Sequence, residues 1–464
     1  MKKIAFKIVS ILLVATFLFT TGISAFAVEN ESASASNYEI VSPYEEVNWG
    51  VTQEYKGNLH THSTFSDASE NLVDTLLEHY EQGFDFVAMT DHGVTGVAWN
   101  KKPYQRLLYS YQHLIGLKQN CLTDEQYAAV LDGSYPLKKT GEARGRGMVC
   151  VTGGNELNAL TISKSHVNGL FLPSDFGNTN LGFENGFRFA VNQVDEQGGL
   201  SFINHPGDWL KTNDDMNNVY DEDTLKYFKE IFMDYDSCLG MEVFNEKNSV
   251  TGYDRILWDN LLMETLPYGR NIIGFSNNDT HTRDTVDSSF SVFLMEKNNM
   301  DTIKATMQSG SFFMITRRLR ANNVIGPDKD FDVMDKQLPY PMFNKLVVDG
   351  HKITANAREA DYIQWIANGK VIASQDITSA DQELVLDLDK IDGAEDFLYV
   401  RAEIYGTGGL CASQALVIDD GKTLEYEKDT SPEAMWDRFV YIISSTRFAV
   451  IIQELVAAIA DAFE

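Results

Sequence analysis

The feature that most restricts this chain is a rhythm that begins near Tyr55, in which a short apolar or β-branched run is followed by a polar turn and then a helical pattern. The runs are Tyr55–Leu59, Phe84–Thr90, Met148–Thr152, His166–Leu172, Leu200–Ile203, Leu239–Phe244 and Asn271–Phe275. Helix-like stretches at Glu70–Gln82, Gly186–Gln197, Glu222–Asp234 and Tyr253–Leu266 fall between several of them. Strands alternating with helices make parallel βαβ units, so seven runs in one domain predict an α/β fold, either a barrel or a doubly wound sheet. Val97–Gly147 is too long for an ordinary connection and reads as an inserted helical excursion over one rim.

The chemistry sits where the runs end. The first leads into His60-Thr61-His62, with Asp67 beyond it; the second ends at Thr90-Asp91-His92; the third leads into Gly154-Asn155-Glu156. His166 opens the fourth, the fifth ends at Asn204-His205-Pro206, and the seventh leads into Asn278-Asp279-Thr280-His281. In a parallel βα barrel the carboxyl ends of the strands converge on one face, where active sites are built. Six of the nine histidines fall at these positions. Any one motif alone reads equally well as a hydrogen-bonded loop. Together they put six imidazoles and three carboxylates on one rim, more than one ion can use and suited to two or three divalent ions with N/O ligands. His79, His113 and His351 lie off this register and read as ordinary helix or loop residues.

HTHSTFSDAS, TDHG, GGNE, SHVNGL, NHP and NDTH, in that order, resemble the successive motifs of the PHP (polymerase and histidinol phosphatase) metallohydrolase superfamily. The resemblance covers roughly residues 55–320 and implies a distorted seven-stranded (β/α) barrel. It also implies that His60, His62, Glu156 and Asp279 hold one metal, that Glu156 bridges to a second held with His166 and His205, and that Asp67, His92 and His281 hold a third. Asn278 departs from the pattern, which has a small Ser there. The implied activity is hydrolysis of a small-molecule ester, foremost a phosphate ester, by a hydroxide bridging two cations, since bound water has its pKa lowered to about 7. Zn, Mn and Fe all accept such a ligand set. A carboxyl or carbamate ester is the alternative substrate, and a binding protein in which the metals only hold a ligand is the alternative class.

Asp91, next to His92, is a candidate proton acceptor or an orienter of an imidazole. Arg283 is a candidate for holding a phosphate oxygen bidentately, weighed against a surface ion pair in an acid-rich loop. Glu242 and Asn245 end the sixth run and are expected to line the pocket. Arg144 and Arg146 in the insertion are expected either to touch substrate or to solvate a loop.

The remaining segments frame this core, which spans residues 51–325 with the insertion at 97–147. Lys2, Lys3 and Lys7, an apolar run from Ile8 to Phe19, and Ala25-Phe26-Ala27 read as a secretory signal over residues 1–27, which predicts a secreted, extracellular or envelope-associated protein. Residues 28–50 read as a linker. Removing three lysines and no acid takes the net charge from −29 to −32, a field that repels polyanions and argues against nucleic acid as a partner. Residues 340–422 carry short strand-like runs, with an Asn368-Gly369 hairpin signal, and predict a small β-sandwich-like module. FLYVRAEIYG in it resembles the tail of exported, carbaryl-hydrolase-like PHP relatives. Residues 431–464 read as an amphipathic C-terminal helix, capped by Ser431 with Pro432 at its first position. Arg438, Arg447, Glu454 and Asp461 break every window of about 20 residues that a span would need. The helix is therefore expected to dock on protein, on a second copy or on a membrane surface. The four cysteines are scattered, and no disulfide is expected.

Overall fold

The computed structural model describes residues 38–103, 117–157, 165–173, 186–210, 215–245, 252–322, 324–326, 329–432 and 436. The signal segment 1–27, the linker up to residue 37, His113 and the expected helix beyond Pro432, Trp436 apart, lie outside the described residues. The described chain is a mixed α/β structure, with strands β1 (Glu39–Val41), β2 (Gln53–Asn58), β3 (Phe86–Ala88), β4 (Val149–Val151), β5 (Asn155–Leu157), β6 (Val167–Leu170), β7 (Leu200–Ile203), β8 (Cys238–Phe244), β9 (Ile273–Ser276), β10 (Ser289–Met295) and β11 (Phe312–Thr316) in its first part.

Two sheets carry the site. In one, β2, β3 and β4 run parallel, and β10 flanks β2 antiparallel. In the other, β7, β8 and β9 run parallel, while β6 is antiparallel to both β5 and β7. Two isolated parallel bridges join the sheets, Thr61 with Thr280 and His92 with Glu156, both inside the histidine and acid motifs. The reversed β6 departs from the expected succession of parallel units. Only nine residues separate Leu157 from Val167, fewer than the dozen or so that a parallel crossover needs. The reversal has a consequence for the site: His166, at the start of its strand, reaches the same rim as residues that follow the ends of the others.

Local chemistry explains the framing helices. Leu72–Glu81 starts at Asn71, whose side chain accepts from the Asp74 N–H. Met300–Ser309 has a capping box between Asn299 and Thr302 and stops at Gly310 in the left-handed conformation. The helix Asp254–Thr265 is buried on nearly every side, packing against β8 and, through Arg255 and Asp259, against Glu403 and Arg401 of the later strands.

Those later strands are β12 (Arg318–Leu319), β13 (Phe331–Asp332), β14 (Met342–Asp349), β15 (Lys352–Arg358), β16 (Tyr362–Ala367), β17 (Lys370–Asp376), β18 (Leu384–Asp387), β19 (Tyr399–Gly406), β20 (Gly409–Ala412) and β21 (Leu416–Asp419). β14, β15 and β18 form a small sheet of their own. β20, however, pairs with β11, so β16, β17, β19, β20 and β21 extend the sheet that contains β2. The β-rich region thus shares a continuous sheet with the region that carries the motifs. Asn368-Gly369 makes the expected hairpin between β16 and β17, with both residues at positive φ. Cys121, Cys150, Cys238 and Cys411 are free thiols.

Candidate metal centre

Glu156 is the hub of the site. It is reached from Gly153-Gly154, where Gly153 adopts φ +74° and a Cβ on Gly154 would sit 2.3 Å from the Met89 carbonyl oxygen. Glycine there lets the strand approach close enough for the His92–Glu156 bridge. Five imidazoles surround the Glu156 carboxylate: His166 Nδ1 at 3.0 Å, His62 Nε2 at 3.0 Å, His60 Nε2 at 3.2 Å, His92 Nδ1 at 3.2 Å and His205 Nε2 at 3.5 Å. Asn204 Nδ2 donates to its Oε1 at 2.6 Å. Asp279 stands opposite, 3.2 Å from His60 Nε2 and 3.3 Å from His62 Nε2. Asp67 joins His92 Nε2 at 3.4 Å and His281 Nε2 at 3.3 Å. The structure therefore brings all nine motif residues together.

The ligand atoms form four overlapping groups, each within 4.8 Å: His60, His62, Glu156 and Asp279; His92, Glu156 and His166; His62, Asp67, His92 and His281; and His60, His205 and Glu242. The first matches the set implied by the motifs. In the others the partition shifts, since His62 joins Asp67, His92 and His281, and His92 stands with Glu156 and His166. The donor set suits divalent cations on chemical grounds. His60 Nε2 and His62 Nε2 lie only 3.1 Å apart and both face the same two carboxylates. A cation shared between the two lone pairs satisfies this arrangement. Burial works against charging His62, yet its hydrogen bonds to Asp279 and Glu156 push the ring up to about 10, and a similar balance takes His205 to about 9. Burial opposes ionisation of Glu156 too, but the His166, His60 and His92 rings hold it well below the ordinary carboxylate range. Divalent ions would compete with protons for these ring nitrogens.

The backbone is committed to this geometry. His205 at φ +24° and Asp279 at φ +48° both sit in the left-handed region without being glycine, the kind of strain found at functional sites and costing about 1–3 kcal/mol. Several rings are fixed from behind. His281 Nδ1 donates to the Asp279 carbonyl at 3.0 Å. His62 Nδ1 meets Ser66 Oγ at 3.3 Å, and Ser66 Oγ donates to Asp91 at 2.8 Å. Trp209 packs on His166 with ring centroids 4.6 Å apart.

Asp91 acts on a different ring from the one its position beside His92 suggests. It accepts from the Ser63 N–H at 2.7 Å, from Ser63 Oγ and from Ser66 Oγ, and so steadies His62 through Ser66. Burial pushes its carboxyl up, with the His62 ring and the Ser63 and Ser66 donors offsetting part of that rise. Arg283 lies on the rim, half-exposed, and pairs with Glu70 at 2.9 Å and Asp74 at 3.1 Å. Arg144 and Arg146 are engaged at the other end of β3, both pairing with Asp85. Arg144 also donates to the Phe84 and Gly83 carbonyls, so a structural role there replaces the expected contact with substrate or solvent.

His79 lies on the helix Leu72–Glu81 and outside the ligand groups, in keeping with its sequence reading. It is fully buried, with Nδ1 donating to the Thr75 carbonyl at 2.8 Å and Nε2 accepting from Asn58 Nδ2 at 3.1 Å and Asn278 Nδ2 at 3.3 Å. Asn278 in turn accepts from the Ser289 N–H, so this departure from the motif points away from the ligands and braces the turn before Asp279. Ser66, Asn204 and Glu242 were not singled out as supports. Their only sequence signal is that Ser66 and Asn204 lie inside motifs and Glu242 ends the sixth run.

No known family model matches the sequence, and no curated protein matches it. Among solved structures, the chain is similar to a two-domain protein from Bacteroides vulgatus containing a predicted PHP-like metal-dependent phosphoesterase, at 14% identity and TM-score 0.38, covering 82% of this chain and 98% of that one. It is similar to the lesion-specific endonuclease PfuEndoQ from Pyrococcus furiosus at 16% identity and TM-score 0.31, covering 55% and 56%. It is also similar to PsfC from Pseudomonas syringae at 12% identity and TM-score 0.28, covering 55% and 96%. At TM-scores below 0.5, none of these likenesses bears on the chemistry of this chain.

Proposed function

We propose that this chain is a metal-dependent hydrolase of the PHP type, built on a distorted seven-stranded barrel, that cleaves small phosphate esters with two or three divalent ions. The observation that carries the reading is the convergence of six imidazoles on Asp67, Glu156 and Asp279, whose ligand atoms fall in three overlapping groups, each within 4.8 Å, with His205 Nε2 3.5 Å from Glu156. His60, His62, Asp67, His92, Glu156, His166, His205, Asp279 and His281 would hold the ions. Bound divalent ions supply a nucleophilic water at neutral pH and polarise a phosphoryl oxygen.

The protein's own part is orientation and the exclusion of competing donors. Glu156 draws five imidazoles inward, and Asn204 holds one of its oxygens in place. Asp91 fixes His62 by way of Ser66. Trp209 packs against the His166 and His205 rings. For Arg283 to hold a phosphate oxygen, it must first leave Glu70 and Asp74.

Export of the chain, cleavage after Ala27, and docking of residues 431–464 on a second copy or a membrane surface belong to the same proposal. Mass spectrometry of secreted material is expected to find Val28 at the N-terminus, and an intact Met1 contradicts export with cleavage. The activity is tested by screening purified protein, loaded with Zn, Mn or Fe, against phosphomonoesters, phosphodiesters, carboxyl esters and carbamates. Turnover of a phosphate ester above all others is expected. Turnover of only a carboxyl ester or carbamate replaces the substrate class, and ion binding without any turnover replaces the enzyme reading with a binding one.

A further inference from the structure

Glu242 lies in the middle of β8 with no exposed surface, and its carboxylate is ringed by donors. Oε1 accepts from His60 Nδ1 at 2.9 Å and Asn277 Nδ2 at 2.9 Å. Oε2 accepts from Asn245 Nδ2 at 2.8 Å and from the His205 backbone N–H at 3.1 Å. An ionised carboxylate has about four acceptor sites on its two oxygens, so this one is filled by protein donors. His60, His205 and Glu242 are close enough to hold an ion, but Glu242 has no lone pair left to give it.

We propose that Glu242 is a positioning residue which sets the tautomer of His60 and pins the backbone at His205, joining two ligands whose rings both approach Glu156 Oε1. This rests on the reading of the cluster as a divalent-metal centre. A carboxylate only accepts, so His60 Nδ1 must carry a proton, and Nε2, which faces Glu156 and Asp279, is the nitrogen that would give its lone pair to an ion. The backbone contact matters for a second reason: His205 is held at φ +24°, a conformation its own side chain disfavours. One residue on one strand thereby orients the first ring of the HTH motif and the histidine of the NHP motif, which are far apart in sequence.

Glu242→Gln tests this, because it replaces one oxygen by an NH₂ group that must face either His60 and Asn277 or His205 and Asn245. The full-length, metal-free protein and its E242Q variant are titrated with Zn²⁺ alone by calorimetry, with circular dichroism as the check on folding. One Zn²⁺ is expected to bind about 10–100-fold more weakly in E242Q, with Glu242→Asp recovering part of the loss. Folded E242Q that binds the same number of ions as tightly as wild type overturns the proposal. A second measurement does not depend on the variant: nitrogen-15 spectra of histidine-labelled, Zn²⁺-loaded wild type are expected to show a proton on His60 Nδ1, and a proton on Nε2 overturns the proposal. Wild type that binds no Zn²⁺ overturns both this inference and the function on which it rests, whereas unchanged binding by E242Q beside a Zn²⁺-binding wild type removes this inference alone.

Discussion

Arg255, Asp259, Arg401 and Glu403 form one buried cluster of charge, between the helix Asp254–Thr265 and strand β19, and Glu156 with the eight other ligand residues forms the second. In the first, two cations meet two anions. Arg401 donates to Asp259 through Nε and Nη2, both at 2.7 Å, and to Glu403 at 2.5 Å, while Arg255 donates to Glu403 at 2.8 Å. Tyr399 adds its hydroxyl to Asp259. In the second, carboxylates meet imidazoles at several nearly equal distances, and nitrogen faces nitrogen at 3.1 Å. A buried charge has to be compensated, and the desolvation penalty is several kcal/mol per ion. The first cluster compensates itself with fixed, paired geometry and ties the β-rich region to the motif-bearing region. The second is arranged for charge that comes from outside the chain.

The largest expected difference is in ion content. Asp279→Ala should lose bound ion and bring turnover below detection with the fold retained, as measured by elemental analysis, ester hydrolysis and circular dichroism. Arg401→Ala should do the reverse. Removing one partner of a buried pair costs about 3–5 kcal/mol, read as a lower midpoint in denaturant, with the ion content per folded molecule unchanged. Should Arg401→Ala strip the ions while leaving stability intact, the two clusters are not independent.

His79 sharpens the comparison, since it is a buried histidine outside both clusters. His79→Ala leaves Asn278 Nδ2 without its acceptor, at about 1–3 kcal/mol for a buried unsatisfied group, whereas Asn58 Nδ2 keeps the His60 carbonyl and Thr61 Oγ1. Its ring also carries a pH signature, because burial lowers it to about 4 from an ordinary 6.5. As pH falls below 6.5 the unfolded chain binds this proton and the folded one does not, so stability drops between 6.5 and 4 and levels off below. His79→Gln keeps an acceptor but cannot titrate, and its stability should fall less steeply over that window than that of wild type. Identical slopes contradict a neutral, buried His79.

The smallest effect belongs to Arg283. An exposed pairing of this kind contributes about 0–1 kcal/mol, so Arg283→Ala should barely move the denaturation midpoint. A loss in kcat/KM for phosphate esters beside unchanged stability assigns it the phosphate, and unchanged kinetics leave it as a rim ion pair with Glu70 and Asp74.

What was legible in the sequence was local. Each ligand follows or opens an apolar run, so counting runs was enough to gather nine residues on one rim. The hairpin at Asn368-Gly369 and the helix Asp254–Thr265 have equally local signals. The reversal of β6 was not legible, because periodicity reports that a strand exists and not the direction in which it pairs. The joining of β20 to β11 links residues about 100 positions apart and has no trace in composition. Glu242 was seen only as a pocket residue, since its four donors come from four separate stretches of chain. The burial of His79 was not legible for a related reason: its helix turns inward onto Asn58 and Asn278, which lie 21 and 199 residues away.

The most direct test is elemental analysis of the purified protein in parallel with phosphate ester turnover, before chelation, after chelation, and after each ion is restored. The account predicts two or three divalent ions per chain, activity lost with them and recovered on their return. Full activity in metal-free protein, or a folded chain that takes up no divalent ion, would contradict it.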